Sequence, residues 1–217
     1  MKHILNQFFD RIYCITVHTF TDRHKLVKEQ LAGVEFEWIL SPPSQSLTPR
    51  SDITLSEISI ALGQASLLQN AKLHGYKRIT MWEDDGIMSV TPTEMEAFFN
   101  EVPSKWDCLY MGDPTWANSI WPIEVEPYSE NVNRVRRGNG STFMGINSHL
   151  FDELSMKFLQ FGKATDLKFQ DVSYRGRTYG PKKYFSLPLS MPHERTLHHF
   201  TPEQLSTFIP SYVAHSL

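Results

Sequence analysis

Short apolar runs alternate along the chain with segments in which apolar residues follow a helical period. From Ile58 to Leu68 the apolar positions recur close to every 3.6 residues, which predicts an amphipathic helix. A second helical segment passes through Leu26 and Leu31 and is expected to end near Gly33. Strands are predicted at residues 11–17, 35–40, 78–82, 106–111 and 141–146. This alternation of strands and helices predicts an α/β domain.

Two capping boxes predict where helices begin. Thr54 is followed three residues later by Glu57, and Thr91 by Glu94, so that in each pair the threonine side chain and the glutamate can satisfy backbone N–H groups reciprocally. Pro92 occupies the first helical position after Thr91, where proline is tolerated. Helices are therefore expected to start at residues 55 and 92.

The segment 114–140 has little periodicity, and we expect an irregular loop there. Loops of this length tend to act as lids or binding loops. Its basic residues are Arg134, Arg136 and Arg137. They would either fold over phosphates or belong to a flexible solvated loop. Trp116 and Trp121 would stack on a sugar or join the core.

Composition excludes several classes of protein. The 217 residues carry a net charge of -3, which excludes a broadly basic nucleic-acid binder. No apolar run approaches the ~18–20 residues that span a bilayer, so no transmembrane segment is expected. The two cysteines, Cys14 and Cys108, lie within apolar runs and are expected to be free and buried. Together these features favour a cytoplasmic protein.

An acidic triplet, Glu83-Asp84-Asp85, follows the apolar strand at residues 78–82. Alternate side chains along a strand share a face, so Glu83 and Asp85 are expected on one side and Asp84 on the other. In open α/β sheets ligands bind outside the carboxyl ends of the strands, so the triplet is expected at a ligand-binding edge. Adjacent carboxylates repel one another unless a cation or strong donors compensate. Mg²⁺ or Mn²⁺ would accept one or two such oxygens together with water and phosphate. The alternative is a solvated loop that caps the following element.

Several motifs in a fixed order resemble glycosyltransferase family 25, the lipopolysaccharide and collagen galactosyltransferase-like enzymes. The resemblance extends from about residue 10 to about residue 170. The matching pieces are Arg11-Ile12-Tyr13-Cys14-Ile15, Thr21-Asp22-Arg23, Leu55-Ser56-Glu57-Ile58, Met81-Trp82-Glu83-Asp84-Asp85, Trp106-Asp107-Cys108-Leu109-Tyr110-Met111-Gly112 and Phe143-Met144-Gly145-Ile146. The family usually has Gly-Cys and then Ser-His where this chain has Ser59-Ile60 and Gly63-Gln64.

The resemblance implies a GT-A fold, a Rossmann-like, mixed but mostly parallel sheet flanked by helices. It implies a single domain over 1–217, with a nucleotide-sugar half at about 10–113 and an acceptor half at about 114–217. The implied activity is that of a hexosyltransferase. It would use a divalent metal, Mn²⁺ or Mg²⁺, to transfer a sugar from a nucleotide-sugar donor, UDP-linked, with inversion, to a saccharide or glycoconjugate acceptor.

The resemblance also implies roles for individual residues at the donor site. Asp85 is the predicted direct metal ligand, Glu83 a metal or ribose contact, and His193 a late histidine that completes the metal shell. Asp84 is assigned to donor binding. Thr16 and Arg23 are expected near the base and phosphates. Gln64, from its place on the long helix, would hydrogen-bond ribose or sugar hydroxyls. The alternatives are a solvent-facing Arg23 paired with Asp22 or Glu29, a Gln64 satisfied within the protein, and an ordinary surface histidine at position 193.

The resemblance assigns the general base of an inverting transfer to Asp166, with Asp113 and Asp171 as rivals. Such a base would take the proton of the acceptor hydroxyl as it attacks the anomeric carbon. The alternative for Asp166 is a helix cap.

Two other functions stay open at this point. The altered Ser59–Gln64 segment is compatible with a catalytically silent GT-A-like module that binds nucleotide-sugars without turnover. The same carboxylates would also suit a metal-dependent phosphoester hydrolase, although two-metal hydrolases need further acidic or histidine ligands at strand ends.

Overall fold

A computed structural model of the protein describes residues 2–48, 54–112, 123–138, 140–161 and 165–188. The helices in these ranges are α1 (Ile4–Phe8), α2 (Thr21–Gln30), α3 (Leu55–Leu73), α4 (Pro92–Glu101), α5 (Phe151–Leu159) and α6 (Thr165–Ser173). The strands are β1 (Arg11–Thr16), β2 (Glu37–Leu40), β3 (Arg78–Glu83), β4 (Gly86–Met88), β5 (Cys108–Tyr110), β6 (Glu124–Pro127), β7 (Val132–Arg137), β8 (Phe143–Asn147), β9 (Thr178–Pro181) and β10 (Ser186–Pro188).

Eight strands form one mixed sheet in the order β2-β1-β3-β8-β5-β9-β7-β6. The first three strands are parallel, and β5 is parallel to β9. Strand β8 runs antiparallel to both of its neighbours, and β7 runs antiparallel to β9 and β6. The parallel character predicted from the sequence is thus concentrated in the β2-β1-β3 end, where the acidic triplet lies. Strands β4 and β10 pair separately as a small antiparallel sheet.

Helices cover both faces of the large sheet. Alternate residues of a strand point to opposite faces, and Met81 and Trp82 of β3 accordingly enter different hydrophobic clusters. The Met81 cluster includes apolar side chains of α3, α5 and α6. The Trp82 cluster includes side chains of α1, α2 and α4, with the stacked rings of Phe8 and Phe99. Both cysteines are free and buried, as predicted.

Both predicted capping boxes are confirmed. Thr54 accepts a hydrogen bond from the N–H of Glu57 and the Glu57 carboxylate accepts one from the N–H of Thr54, and the Thr91–Glu94 pair does the same. The first box starts α3, the 19-residue helix that packs along the sheet next to β1. The local sequence therefore determines where this helix begins.

The prediction of an irregular loop over 114–140 is wrong for its second half. Residues 124–127 and 132–137 form β6 and β7, which extend the sheet at its edge. Arg134 and Arg136 each donate to the carboxylate of Glu126 at 3.0 Å, and Arg137 ends β7. These arginines are therefore strand residues and do not belong to a flexible loop.

No helix in the described ranges is long and apolar enough to cross a membrane.

Candidate functional site

The carboxyl ends of β1 and β3 meet at one edge of the sheet. Ile15 lies opposite Glu83 in the parallel register, and the N–H of Asp84 donates to the carbonyl oxygen of Ile15 at 3.1 Å. Thr16 and Asp84 thus follow directly from paired strands. Since successive side chains alternate between faces, Glu83 and Asp84 diverge, as predicted. Glu83 contacts α3 and Asp84 contacts α2.

Asp84 is held by two side chains from different elements. Its Oδ2 accepts a hydrogen bond from Thr16 Oγ1 at 2.5 Å, and its Oδ1 accepts one from Arg23 Nη1 at 2.8 Å. Asp84 is only 6% exposed, and the Arg23 side chain is 24% exposed. Charge-assisted hydrogen bonds of this kind are about twice as strong as neutral ones. Both oxygens of Asp84 are therefore occupied by Thr16 and Arg23, which the sequence had placed at the donor site.

His24 extends this network, and the sequence reasoning missed it. Its Nε2 lies 2.9 Å from Thr16 Oγ1 and 3.1 Å from the carbonyl oxygen of Val17. The single hydroxyl proton of Thr16 points to Asp84, so Thr16 Oγ1 accepts from His24 and Nε2 carries the proton. A histidine one residue after Arg23, on the first turn of α2, was the available signal. His24 thereby fixes the threonine that fixes Asp84.

Glu83 contacts a second pair of buried side chains. Its Oε1 accepts from Ser141 Oγ at 2.5 Å and from Gln64 Nε2 at 3.4 Å. Gln64 is fully buried on α3, and Ser141 is 6% exposed just before β8. Gln64 was predicted for the donor site, whereas Ser141 was not. The contact between Ser141 and Glu83 joins positions 58 residues apart, so local sequence gave no signal for it.

Three oxygens near this edge are buried without a hydrogen-bond partner among the described residues. They are Oγ of Ser41, directly after β2, Oε1 of Gln64 and Oδ1 of Asp85. A buried polar group left unpaired costs about 1–3 kcal/mol. An additional group bound at this edge would supply such a partner.

Burial, together with the neighbouring charge of Asp84, raises the pKa of Asp85 from 3.8 to about 6, against the opposing effects of Arg23 and of a backbone hydrogen bond. Arg23 is already paired with Asp84, which leaves the Asp85 carboxylate under-compensated. Carboxyl groups with perturbed pKa values cluster at functional sites. An external cation at this edge would therefore stabilise the ionised form of Asp85.

These residues are chemically suited to a divalent ion that would be bound jointly by the protein and by a phosphate of the substrate. The described residues contain no group of three or more histidine, cysteine, aspartate or glutamate side chains arranged to enclose a metal. Mg²⁺ does not require such a cage, because it is usually held by one or two carboxylates plus waters and substrate phosphates. Asp85, with its buried unpartnered oxygen, meets that requirement, and Glu83 is the neighbouring carboxylate.

Several predicted site residues lie outside the described residues. These are Asp113, His193, Trp116 and Trp121. Asp166 is the second residue of α6, and its side chain also falls outside the description. Asp171, on the same helix, accepts from Lys157 Nζ at 2.8 Å and is 43% exposed. Asp171 therefore belongs to a surface ion pair between α5 and α6.

Comparison with known proteins identifies the fold. A glycosyltransferase involved in the glycosylation of the major capsid of PBCV-1 matches with a TM-score of 0.52 and 11% identity, over 87% of this chain and 98% of that one. UDP-glucose pyrophosphorylase complexed with UDP-glucose gives a TM-score of 0.49 and 9% identity, over 81% and 90%. A197 from STIV gives 0.41 and 16%, over 78% and 80%. The last two scores are too low to support an argument by themselves.

The match to the PBCV-1 enzyme confirms the predicted GT-A-like α/β fold. At 11% identity the similarity concerns the fold alone. No family model matches the chain, and no curated protein matches it. Membership in glycosyltransferase family 25 therefore stays a prediction.

Proposed function

We propose that the protein is a metal-dependent glycosyltransferase that moves a sugar from a nucleotide-sugar donor to a saccharide or glycoconjugate acceptor. The observation that carries the proposal is Asp85, a carboxylate directly after β3 that combines a buried oxygen without a partner among the described residues, a pKa raised to about 6 and a cation, Arg23, that it shares with Asp84. The GT-A-like fold supports it, since the PBCV-1 protein with the same fold is a glycosyltransferase. UDP as the nucleotide, inversion as the stereochemical course and family 25 as the family rest on the sequence resemblance.

In this proposal different residues of the chain bind the metal ion and the phosphates of the donor. Asp85, with Glu83 beside it, holds the divalent ion, and Arg23 presents its charge to the phosphates while Asp84 and Thr16 fix its position. The ion would act as a Lewis acid that stabilises the departing nucleoside diphosphate. In this proposal Asp166 or Asp113 is the general base that removes the proton of the acceptor hydroxyl. His193 would be the third protein ligand of the metal.

A ligand screen tests the proposal. Unfolding temperatures are measured with a panel of nucleotide-sugars, each with Mn²⁺ and with EDTA. At a hundredfold excess over Kd, a ligand that binds only the folded protein stabilises it by about 2.7 kcal/mol. We expect one nucleotide class to stabilise the protein with Mn²⁺ and to lose most of that effect with EDTA.

Product analysis then separates the candidate functions. Release of nucleoside diphosphate from the stabilising donor, accelerated by an acceptor saccharide, supports the transferase. Binding without turnover indicates a silent nucleotide-sugar-binding module, and release of phosphate from simple phosphoesters indicates a hydrolase. If no nucleotide-sugar of the panel stabilises the protein, the proposal is contradicted.

A further inference from the structure

We propose that Ser141 and Gln64 are positioning residues of the donor site that act through Glu83. The inference deepens the proposed function and rests on it, because it concerns how one carboxylate of the same site is oriented. Ser141 is assigned no role by the sequence motifs. Its place before β8 joins the region between β7 and β8 to the acidic end of β3.

Two side chains, Ser141 and Gln64, approach one carboxylate oxygen of Glu83, and we call this pair the clamp. Ser141 Oγ donates to Glu83 Oε1 at 2.5 Å, and Gln64 Nε2 approaches the same oxygen at 3.4 Å and Ser141 Oγ at 3.5 Å. The three side chains therefore form a closed group in which two donors from different elements converge on one acceptor atom. A carboxylate bound in this way has its rotamer fixed before any ligand arrives.

The backbone behind the clamp is also fixed. The N–H of Glu83 donates to the carbonyl oxygen of Thr142 at 2.9 Å, so the residue that follows Ser141 is bonded to the main chain of Glu83 itself. Gln64 lies on α3 and is fully buried. Serine and amide side chains buried on both sides of a carboxylate cannot swing away without breaking packing, which makes them suitable supports.

A matched pair elsewhere on α3 shows what a structural contact of the same type looks like. Gln69 Nε2 donates to Ser155 Oγ at 2.8 Å, and Ser155 is 1% exposed on α5. This glutamine–serine pair holds α3 against α5 and has no carboxylate in its described contacts. Ser155→Ala therefore removes a buried hydroxyl of comparable burial without affecting the acidic edge.

The test is a double-mutant cycle read by calorimetric titration of UDP in the presence of Mn²⁺. Outer partners of metal-binding side chains typically contribute 10–100-fold to affinity. We expect Ser141→Ala to weaken binding about 10-fold, Ser141→Thr to retain most of the affinity, and Ser155→Ala to leave it unchanged. In the Glu83→Gln background, Ser141→Ala should have almost no further effect, because the group it positions is already altered.

The outcomes separate the two proposals. Urea unfolding of every variant verifies that each is folded, and Ser141→Ala and Ser155→Ala should lose similar stability. If binding needs Glu83 while Ser141→Ala keeps the wild-type affinity, or if the two substitutions weaken binding additively, the positioning role is overturned and the proposed function stands. If the wild-type chain binds neither UDP nor any donor of the panel with Mn²⁺, the proposed function fails, and the inference fails with it.

Discussion

The carboxyl end of β3 and the amino end of β5 both place aspartates among buried strands, and they balance the charge in different ways. Asp107, directly before β5, is fully buried, and its Oδ1 accepts from His149 Nε2 and Arg177 Nη2, both at 2.9 Å. Asp84 and Asp85, directly after β3, are two adjacent carboxylates, and Arg23 pairs with Asp84.

The difference separates a structural ion network from a binding site. Asp107, like Asp85, has one buried oxygen without a partner among the described residues, so that feature alone does not distinguish them. The neighbouring groups do distinguish them. Within the described ranges, Asp107 has the guanidinium of Arg177 to itself and also accepts a hydrogen bond from His149, whereas Asp85 has a raised pKa and shares Arg23 with Asp84. Under the proposed function, an external cation would therefore bind at Asp85 and not at Asp107.

The largest expected effect is on turnover. Asp85→Asn should lower metal-dependent release of nucleoside diphosphate by more than about 100-fold, the upper range for residues that only support a metal ligand. Initial rates with the donor identified by the screen provide the measurement. The same substitution at the other end of the sheet, Asp107→Asn, should leave the rate of the folded protein within a few-fold of wild type. Equal losses from both substitutions would remove the distinction between the two aspartates.

Stability should change in opposite directions at the two aspartates. Asp107→Asn replaces a charged acceptor of two hydrogen bonds by a neutral group and should lower the free energy of unfolding by about 1–3 kcal/mol. Asp85→Asn removes a carboxylate whose ionisation is opposed by burial and should raise that free energy by up to ~3 kcal/mol at pH 8. Urea denaturation with EDTA measures both.

The stabilisation by Asp85→Asn should depend on pH with a defined sign. The folded-state pKa of Asp85 is about 6 and its ordinary value is 3.8, so between these values the folded chain binds the extra proton and wild-type stability falls as pH rises. The difference between Asp85→Asn and wild type should be absent below about pH 4, grow between pH 4 and 6, and be constant above. A difference that is independent of pH would show that Asp85 is not the group responsible.

Substitution of the arginine at each end of the sheet should also change the free energy of unfolding by different amounts. Arg23→Met leaves Asp84 buried with Thr16 as its partner, and we expect a loss of about 1–3 kcal/mol in the free energy of unfolding. Arg177→Met removes a half-exposed cation from the buried Asp107, which keeps its hydrogen bond from His149, and the loss should be smaller, about 1 kcal/mol. Urea midpoints of the two variants at pH 7 decide the order. A larger loss from Arg177→Met would reverse the comparison.

The smallest effect concerns an exposed ion pair beyond the acidic edge. Glu94 closes the capping box of α4 and accepts from Lys183 Nζ at 2.6 Å, and the Lys183 hydrogen bond together with those from Thr91 lowers the pKa of Glu94 to about 2. This contribution is complete above the ordinary pKa of 4.5 and is lost as pH falls to about 2. Glu94→Gln should therefore lower the unfolding temperature slightly at pH 7, by an amount that shrinks on acidification. A shift that persists at pH 2 would contradict the assignment.

Local signals in the sequence predicted much of the fold around the site. The capping boxes at Thr54 and Thr91 specify helix starts through residues three apart, and the apolar run before Glu83 specifies β3. The alternation of side chains along a strand also predicted that Glu83 and Asp84 diverge. These features depend on residues close together in the sequence, so local patterns are sufficient to predict them.

Other features depend on contacts between distant parts of the chain. Strand β6 is an exposed edge strand whose short pattern Glu-Val-Glu-Pro contains no apolar run, and it belongs to the large sheet because β7, its partner, also pairs with the distant β9. Ser141 reaches Glu83 because β8 runs antiparallel beside β3. The position of His24 next to Arg23 was a weak signal, because a single histidine on a helix turn has no distinctive spacing. Such contacts follow from the topology of the sheet, which the single sequence does not specify.

The most direct test of the central claim is a calorimetric titration of the wild-type protein and of Asp85→Asn with the donor nucleotide identified by the screen, each with Mn²⁺ and with EDTA. We expect Mn²⁺ to strengthen nucleotide binding to the wild-type chain by at least about tenfold, equivalent to about 1.4 kcal/mol. Asp85→Asn should bind the nucleotide equally weakly with Mn²⁺ and with EDTA. Equal affinity of the wild-type chain in Mn²⁺ and EDTA, or a full metal effect in Asp85→Asn, would contradict the central claim.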